Sequence, residues 1–328
     1  MTIREAIERK EANTLSKYAT LSIDSKGRRK EEEPDEIRTC FAVDRDRIIH
    51  SKAFKRLKGK TQVFIMPQND HFMNRLTHTL EAAQVARTIA VALNLNETLA
   101  EAIMLGHDLA HSCYGHAGEE ALNRLFYKGY EHEKEAIRRI EHLERKNGKR
   151  GLNLSWEVLD GISSHSGFDN NPRASTKEGM IAPFADKIAY LVSDMENAIK
   201  AGIISDIPAS VKKVLGDTKG QMMDTMIKDI IYTSQDTPYI RMSDLIFEAT
   251  TDFRNYMFKH VYFSDICRRE AEKAHKIIED LYYFLKKHPE EIPETYDDED
   301  LEQNIVDYIA SMTDSYCTNL YKKYFFIA

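Results

Sequence analysis

Residues 74–93 constrain the fold more than any other stretch. Leu76, Leu80, Ala83, Ala86, Ala90 and Leu93 recur at three- and four-residue steps, the spacing of one face of an α-helix. Asn94-Leu-Asn96 ends the pattern, and Asn96 with Glu97 behind it is an N-cap signal for a second helix, expected over about 97–110. The same periodicity returns at 180–201 and stops at Gly202. Further helices are predicted at about 1–20, 44–57, 117–127, 131–146 and from Ser155 onward. Beyond 203 they are predicted at about 208–215, 220–233, 240–259, 262–287 and 299–323. Alternating strand patterns are scarce. Gln62-Val-Phe-Ile-Met66, with Pro67-Gln-Asn-Asp70 behind it, is the exception and predicts at most a small β-hairpin near 61–73. The expected class is all-α, in three stretches: an N-terminal helix and loop over 1–36, a core over 37–202 and a helical C-terminal extension over 203–328. The loop at 21–36 is expected to order only against a ligand or a neighbouring subunit.

Bulk properties remove several function classes. No run approaches the roughly eighteen apolar residues that span a bilayer, so no membrane role is expected. The first ten residues lack the apolar core of a secretory signal. Four cysteines without CxxC spacing read as free thiols in a reducing cytoplasm. The net charge of −7 argues against general nucleic-acid binding, which is the least supported partner class. Residues 26–60 nevertheless carry twelve Lys or Arg against seven acids, while 289–302 hold eight acids and no Lys or Arg. A basic region in an acidic chain suits a polyphosphate ligand; a solvated charged face is the plain alternative.

The chemistry concentrates at His107–Glu119, thirteen residues with His107, His111, His116, Asp108 and Glu119. His107 and Asp108 are adjacent nitrogen and oxygen donors. His111 lies one turn beyond His107 if the helix continues that far. Two ligands seldom hold an ion tightly, so others must come from further helices. His78 sits mid-way along the 74–93 helix, where a satisfied core histidine is the structural alternative. At 180–201, Asp186, Tyr190 and Asp194 fall at i, i+4 and i+8 with Lys187 on the flank. Polar groups lining a buried face cost free energy unless they bind something, though the polar border of an amphipathic helix looks the same. His78, His107, Asp108 and Asp186 would make a mixed nitrogen and oxygen set. It suits one divalent ion, Mn, Fe, Co, Ni or Zn, with Mg less natural.

These residues resemble the HD-domain phosphohydrolases, and more closely the dGTPase-like deoxynucleoside-triphosphate triphosphohydrolases. The resemblance runs through Tyr18-Ala-Thr, Asp24-Ser-Lys-Gly-Arg28, Arg45–Phe54, Lys60-Thr-Gln-Val-Phe64 and Arg75-Leu-Thr-His-Thr-Leu80. It continues through Gly106-His-Asp-Leu109, Gly115-His-Ala-Gly-Glu119, Trp156-Glu-Val, His165-Ser-Gly and Ala185-Asp-Lys-Ile-Ala-Tyr190 with Asp194, and it covers most of 11–202. It implies an all-helical HD fold that removes intact triphosphate from a dNTP. His78, His107, Asp108 and Asp186 match the metal ligands, His116 and Glu119 the catalytic histidine and its positioning carboxylate, and His111 a pocket histidine sharing that work. Arg75 and Lys187 match phosphate contacts, Tyr190 and Asp194 residues near the sugar, and Gln62 a contact to the 3′-hydroxyl. A homo-oligomer built from dimers, up to a hexamer, is implied, with a second dNTP as activator left open. The chain departs from the family at Ala110, usually glycine, and at Ser112-Cys-Tyr114, usually Pro-Pro-Phe. A Cβ at 110 is expected to matter if unusual dihedrals are needed there.

Two other readings remain at this level. One is another HD phosphohydrolase, acting on a nucleoside monophosphate, a cyclic nucleotide or an alarmone. A dinuclear site of that kind needs further histidines, for which His132, His142 and His165 are available without a convincing motif. The other is a non-catalytic nucleotide sensor or nucleic-acid scaffold using the basic 26–60 region and Lys322-Lys-Tyr324.

Overall fold

Local side chains set most helix starts. The Thr2 hydroxyl accepts from Glu5 N while the Glu5 carboxylate accepts from Thr2 N, a capping box that opens Ile3–Thr14. Asn96 caps Glu97–Gly106, Thr176 caps Lys177–Lys200, Thr218 caps Lys219–Ser234 and Ser264 caps Asp265–Lys287. Each such cap is worth about 1 kcal/mol. The computed structural model describes residues 1–65, 73–146 and 148–327, and fifteen α-helices lie among them. The regular strands among the described residues are Arg145–Lys146 and Lys149–Arg150, one antiparallel pair with Arg145 opposite Arg150. The class is all-α. At 61–73 the described residues form no strand, only an isolated bridge from Thr61 to Asn74; the part of that expected hairpin at 66–72 lies outside the described residues. No helix among them is long and apolar enough to cross a membrane.

The chain packs as two compact units, each gathered from three segments. Unit 1 comprises 1–50, 78–107 and 152–261, and unit 2 comprises 51–77, 108–151 and 262–328. These units cut across the three consecutive stretches expected from sequence.

In unit 1 the central helix is Glu97–Gly106, which packs against Cys40–His50, Trp156–Ser163 and Lys177–Lys200. It buries Leu99, Ile103, Met104 and Leu105, each worth about 1.5–3 kcal/mol of transfer free energy. In the Arg75–Ala92 helix the buried side is mostly small, Ala82, Ala83, Val85, Ala86, Ile89 and Ala90. Leu80, expected on the apolar stripe, points outward and is 51% exposed, as is Val91 at 55%. Part of the loop at 21–36 is held by unit 1 itself. Glu157 accepts from Ser25 Oγ (2.8 Å) and Lys26 N (2.7 Å), and Lys26 Nζ lies 3.3 Å from the Trp156 ring centre. Arg28 pairs with buried Asp44, which also accepts from Ser155 N and Oγ. These partners within unit 1 hold the Ser25–Arg28 part of the loop.

In unit 2 the long Asp265–Lys287 helix buries Ala274, Ile278, Leu281, Tyr282 and Leu285 on one stripe. That stripe packs on Gly115–Leu125 and Leu301–Ser311. The single helix expected at 299–323 is two, because the Thr313 hydroxyl accepts from Tyr316 N and starts Asp314–Phe325 afresh. The helix expected at 131–146 is shorter, His132–Arg138, followed by a π-helical turn at Arg139–Leu143 and the first strand.

Candidate functional site

Three helices of unit 1 bring His78, His107 and Asp186 together. Glu97–Gly106 stops with His107 as its C-cap, short of the expected 110. The His107 Nδ1 lies 2.6 Å from Met104 O. An imidazole N–H donated there leaves the ligating lone pair on Nε2. The His78 Nε2 is 3.0 Å and the His107 Nε2 3.7 Å from the same oxygen, Asp186 Oδ1. Both histidines are buried, and His78 Nδ1 has no hydrogen-bond partner among the described residues. His165 packs edge-on to His107 with centroids 5.0 Å apart, and its Nδ1 is 2.7 Å from Ile162 O. Two imidazole nitrogens converging on a carboxylate oxygen are the donor set of a borderline divalent ion, so these residues fit a metal.

Charge at this cluster is balanced from the same helix. Burial pushes the Asp186 carboxyl up, but the Lys187 charge and the His78 hydrogen bond outweigh it and hold it well below the carboxylate range. Lys187 Nζ is 2.9 Å from Asp186 Oδ2; burial lowers the lysine, Asp186 outweighs burial, and the ammonium stays charged. Tyr190 lies one turn on, its phenol pushed up by burial, and Asp194 is buried a turn further. Arg254, on Asp244–Met257, acts electrostatically on both Lys187 and Tyr190. Its Nε is buried with no hydrogen-bond partner among the described residues. Sequence reasoning did not single it out: one arginine on an amphipathic helix carries no local signal.

The second segment of unit 2 begins at the next peptide, with Asp108. Its Oδ2 accepts from Arg75 Nη1 at 2.7 Å. Arg75 also donates from Nε to Thr61 O (3.1 Å) and from Nη2 to Gln62 O (3.0 Å), so the guanidinium is locked by its own protein. The Gln62 Oε1 is buried with no hydrogen-bond partner among the described residues. Because the preceding helix has ended, His111 is not one turn above His107 on a shared face. It belongs to a second cluster, stacked on His132 (centroids 4.5 Å) and edge-on to His116 (4.8 Å).

Glu119 organises that cluster. Its Oε1 accepts from His132 N (2.9 Å) and faces His132 Nδ1 at 2.8 Å, while Oε2 faces His116 Nδ1 at 3.2 Å. Burial pushes Glu119 up, but the hydrogen bonds from His116 and His132 outweigh it and hold the carboxylate ionised far below its usual range. Burial lowers His132, yet the hydrogen bond and charge of Glu119 raise it overall. His111 is lowered well below the usual histidine value by burial and by Arg75, His132, His116 and Lys60, so it stays a neutral imidazole. The His116 side chain is 70% exposed, against 1% for His111. Asp108, His111 and His132 can place donor atoms within 4.8 Å of one another. The two rings are stacked, however, so their lone pairs run side by side instead of converging. That favours hydrogen bonding to an anion over sharing an ion. His132 is the second residue that sequence reasoning missed; weighed only as a spare metal ligand, it is the partner of Glu119.

Backbone geometry between the histidines is exacting. Tyr114 is left-handed (φ 59°, ψ 21°) and Gly115 follows at φ 60°. At Gly118 a Cβ would lie 1.9 Å from Cys113 O, so the loop rests directly on the helix backbone. Ala110 is not among the left-handed residues, and its carbonyl accepts from Tyr130 Oη. Its Cβ therefore meets no dihedral objection, contrary to the expectation for that position.

The family model described as HD domain matches residues 75–191, and that described as Phosphohydrolase-associated domain matches 240–323. A deoxyguanosinetriphosphate triphosphohydrolase-like protein of Caldanaerobacter subterraneus subsp. tengcongensis is 47% identical, over 99% of this chain and 96% of that one. One from Clostridium perfringens is 46% identical over 98% of this chain and 97% of that one. One from Geobacter sulfurreducens is 34% identical over 99% and 98%.

Proposed function

The chain belongs to the HD-domain phosphohydrolases, among proteins named deoxyguanosinetriphosphate triphosphohydrolase-like, and we propose that it hydrolyses deoxynucleoside triphosphates to deoxynucleoside and inorganic triphosphate. The observation that carries this reading is the buried convergence of His78 Nε2 and His107 Nε2 on Asp186 Oδ1, at 3.0 and 3.7 Å. With Asp108, the residue after His107, they are the proposed ligands of one divalent ion. Such an ion acts as a Lewis acid toward a phosphoryl group and lowers the pKa of water.

The remaining residues take defined roles in this reading. Lys187, held charged beside Asp186, and Arg254 supply positive charge for the polyphosphate. Tyr190 and Asp194 are assigned to the sugar, and Gln62, with its buried Oε1 open, to the 3′-hydroxyl. Arg75 orients Asp108 through the 2.7 Å bond and contributes charge from there, the form its expected phosphate role takes. Glu119 fixes the proton of His116 on Nδ1, which leaves Nε2 as the proton acceptor on the most exposed ring of the cluster. Raised His132 is the candidate proton donor and neutral His111 a hydrogen-bonding partner for phosphate oxygens. A homo-oligomeric state and a second dNTP as activator belong to the same proposal.

Chromatography of products from the pure protein with each dNTP, singly and in pairs, with Mn or Mg, tests it. Deoxynucleoside with intact triphosphate is the expected result. Single phosphate or pyrophosphate instead would assign the chain another HD hydrolase activity, and tight binding without turnover would make it a sensor.

A further inference from the structure

The loop that carries His111 and His116 holds no proline, with Ser112, Cys113 and Tyr114 between Ala110-His111 and Gly115. Yet it holds a left-handed residue and lies flush against Gly118. Without proline more conformational freedom must be lost to reach that shape. Something in unit 2 has to hold it, and the contacts identify what does.

Tyr114 N donates to Asp314 Oδ1 at 2.8 Å, across 200 residues of sequence. The other oxygen of Asp314 accepts from Thr61 N at 2.9 Å and from Thr61 Oγ1 at 2.5 Å. Thr61 O in turn accepts from Arg75 Nε. The Tyr114 hydroxyl lies 2.8 Å from Thr318 Oγ1. Both hydroxyls also reach one carbonyl, Asp314 O, which accepts from Tyr114 Oη at 3.3 Å and from Thr318 Oγ1 at 2.9 Å. A phenylalanine has no such hydroxyl. Nearby, Nζ of buried Lys60, its pKa pushed down to about 7 by burial, donates to His111 O (2.5 Å) and Ala310 O (2.8 Å).

We infer that Tyr114 and Asp314 are positioning residues for the proposed hydrolysis, latching the His111–His116 loop to the Asp314–Phe325 helix. The latch acts through the two histidines and touches no substrate. It assigns the C-terminal helix, inside the region matched by the phosphohydrolase-associated model, a specific task in the chemistry.

The inference rests on the hydrolase reading for its kinetic arm and on the fold alone for its second arm. Y114F, T318V and the double variant are compared with wild type by steady-state kinetics and by amide hydrogen exchange over 111–116. Each single variant is expected to speed exchange of the loop amides by about five- to tenfold, the equivalent of one buried hydrogen bond. Each is expected to lower kcat by a similar factor with KM changed less than about twofold, and the double variant to be no worse than Y114F, which already removes the hydroxyl's contacts to both Thr318 Oγ1 and Asp314 O. D314N, which keeps one acceptor oxygen, falls between wild type and D314A. Additive losses in the double variant, or exchange and kcat within about 1.5-fold of wild type in both single variants, overturn the latch. If wild type turns over no dNTP, the hydrolase reading fails while the exchange data still decide the latch.

Discussion

Replacing Glu119 with Gln tests the division of labour among the three histidines. The carboxylate now accepts on both oxygens: His132 N and Nδ1 lie 2.9 and 2.8 Å from Oε1, and His116 Nδ1 lies 3.2 Å from Oε2. A glutamine whose carbonyl stays with the two His132 donors turns its NH2 toward His116 Nδ1. His116 then accepts there, its proton moves to Nε2, and the nitrogen that should take a proton is blocked. The shape of the site hardly changes, since Glu and Gln are isosteric. A general acid–base group in the wrong tautomer forfeits about 10²–10⁴ in rate, or about 2.7–5.4 kcal/mol of barrier. E119Q is therefore expected to lose at least a hundredfold in kcat. KM and metal content should stay near wild type, because no proposed ligand is touched.

The same change predicts a pH signature. Burial lowers His132, and only the Glu119 hydrogen bond and charge, with Asp108 and Glu133, lift it above the ordinary value. Without the Glu119 charge the protonated form should survive only to lower pH, so the alkaline limb of residual kcat moves toward acid. The assay is triphosphate release across pH 5.5–9, with metal measured by mass spectrometry on the same samples. Retention of more than about a third of wild-type kcat would falsify the tautomer argument. Loss of metal from E119Q would show that Glu119 is structural to the ion site.

Further outcomes follow from other parts of the two clusters. D186N should purify with far less metal than wild type and lose turnover, while a D186N protein with full metal stoichiometry would sink the proposed ligand set. G118A forces a Cβ to within 1.9 Å of Cys113 O and should destabilise the protein by at least about 1–3 kcal/mol in urea melts and lower kcat. G220A, whose Cβ meets nothing within 4 Å, should do neither, and equal effects of the two would refute the steric argument. His111 is lowered in the folded state, so the unfolded chain takes up its proton first as pH falls. The contribution is intact above about pH 6.5 and is lost below it, at up to about 1.4 kcal/mol per pH unit. H111Q should be less sensitive than wild type over pH 6.5–5; parallel curves would remove His111 from the account.

Helices were legible in this chain wherever a periodic apolar face coincided with a cap residue, as at Asn96, Thr176 and Ser264. They were misjudged where a single polar side chain interrupts a continuous pattern. Thr313 divides one expected helix into two, and His107 ends another by turning its Nδ1 back onto Met104 O. On the Arg75–Ala92 helix Ala83, Ala86 and Ala90 are buried as the spacing predicts, and Leu80 alone of that stripe is exposed. His78, His107 and Asp186 were legible as chemistry because imidazoles and carboxylates on apolar helices are costly without a purpose. Arg254 and His132 were not: each sits on an ordinary polar helix face, and only packing reveals what it faces.

The two-unit organisation explains why the thirteen residues from His107 to Glu119 resisted a single interpretation. The chain passes from one unit to the other at the His107–Asp108 peptide bond, so the two halves of the motif are held by different parts of the chain. On the His107 side, the positions of the nitrogens proposed as ligands are set by helices whose caps and apolar faces are local in sequence. On the Asp108 side, the loop is held by Asp314 and Thr318, 200 residues or more beyond Tyr114, and Asp314 in turn by Thr61, 53 residues before Tyr114. Substitutions within the motif are therefore tolerated on different terms. Ala110 requires no left-handed backbone. Tyr114 is tolerated only together with the hydroxyl and carboxylate that receive it, which makes the distant helix part of what the motif needs to work.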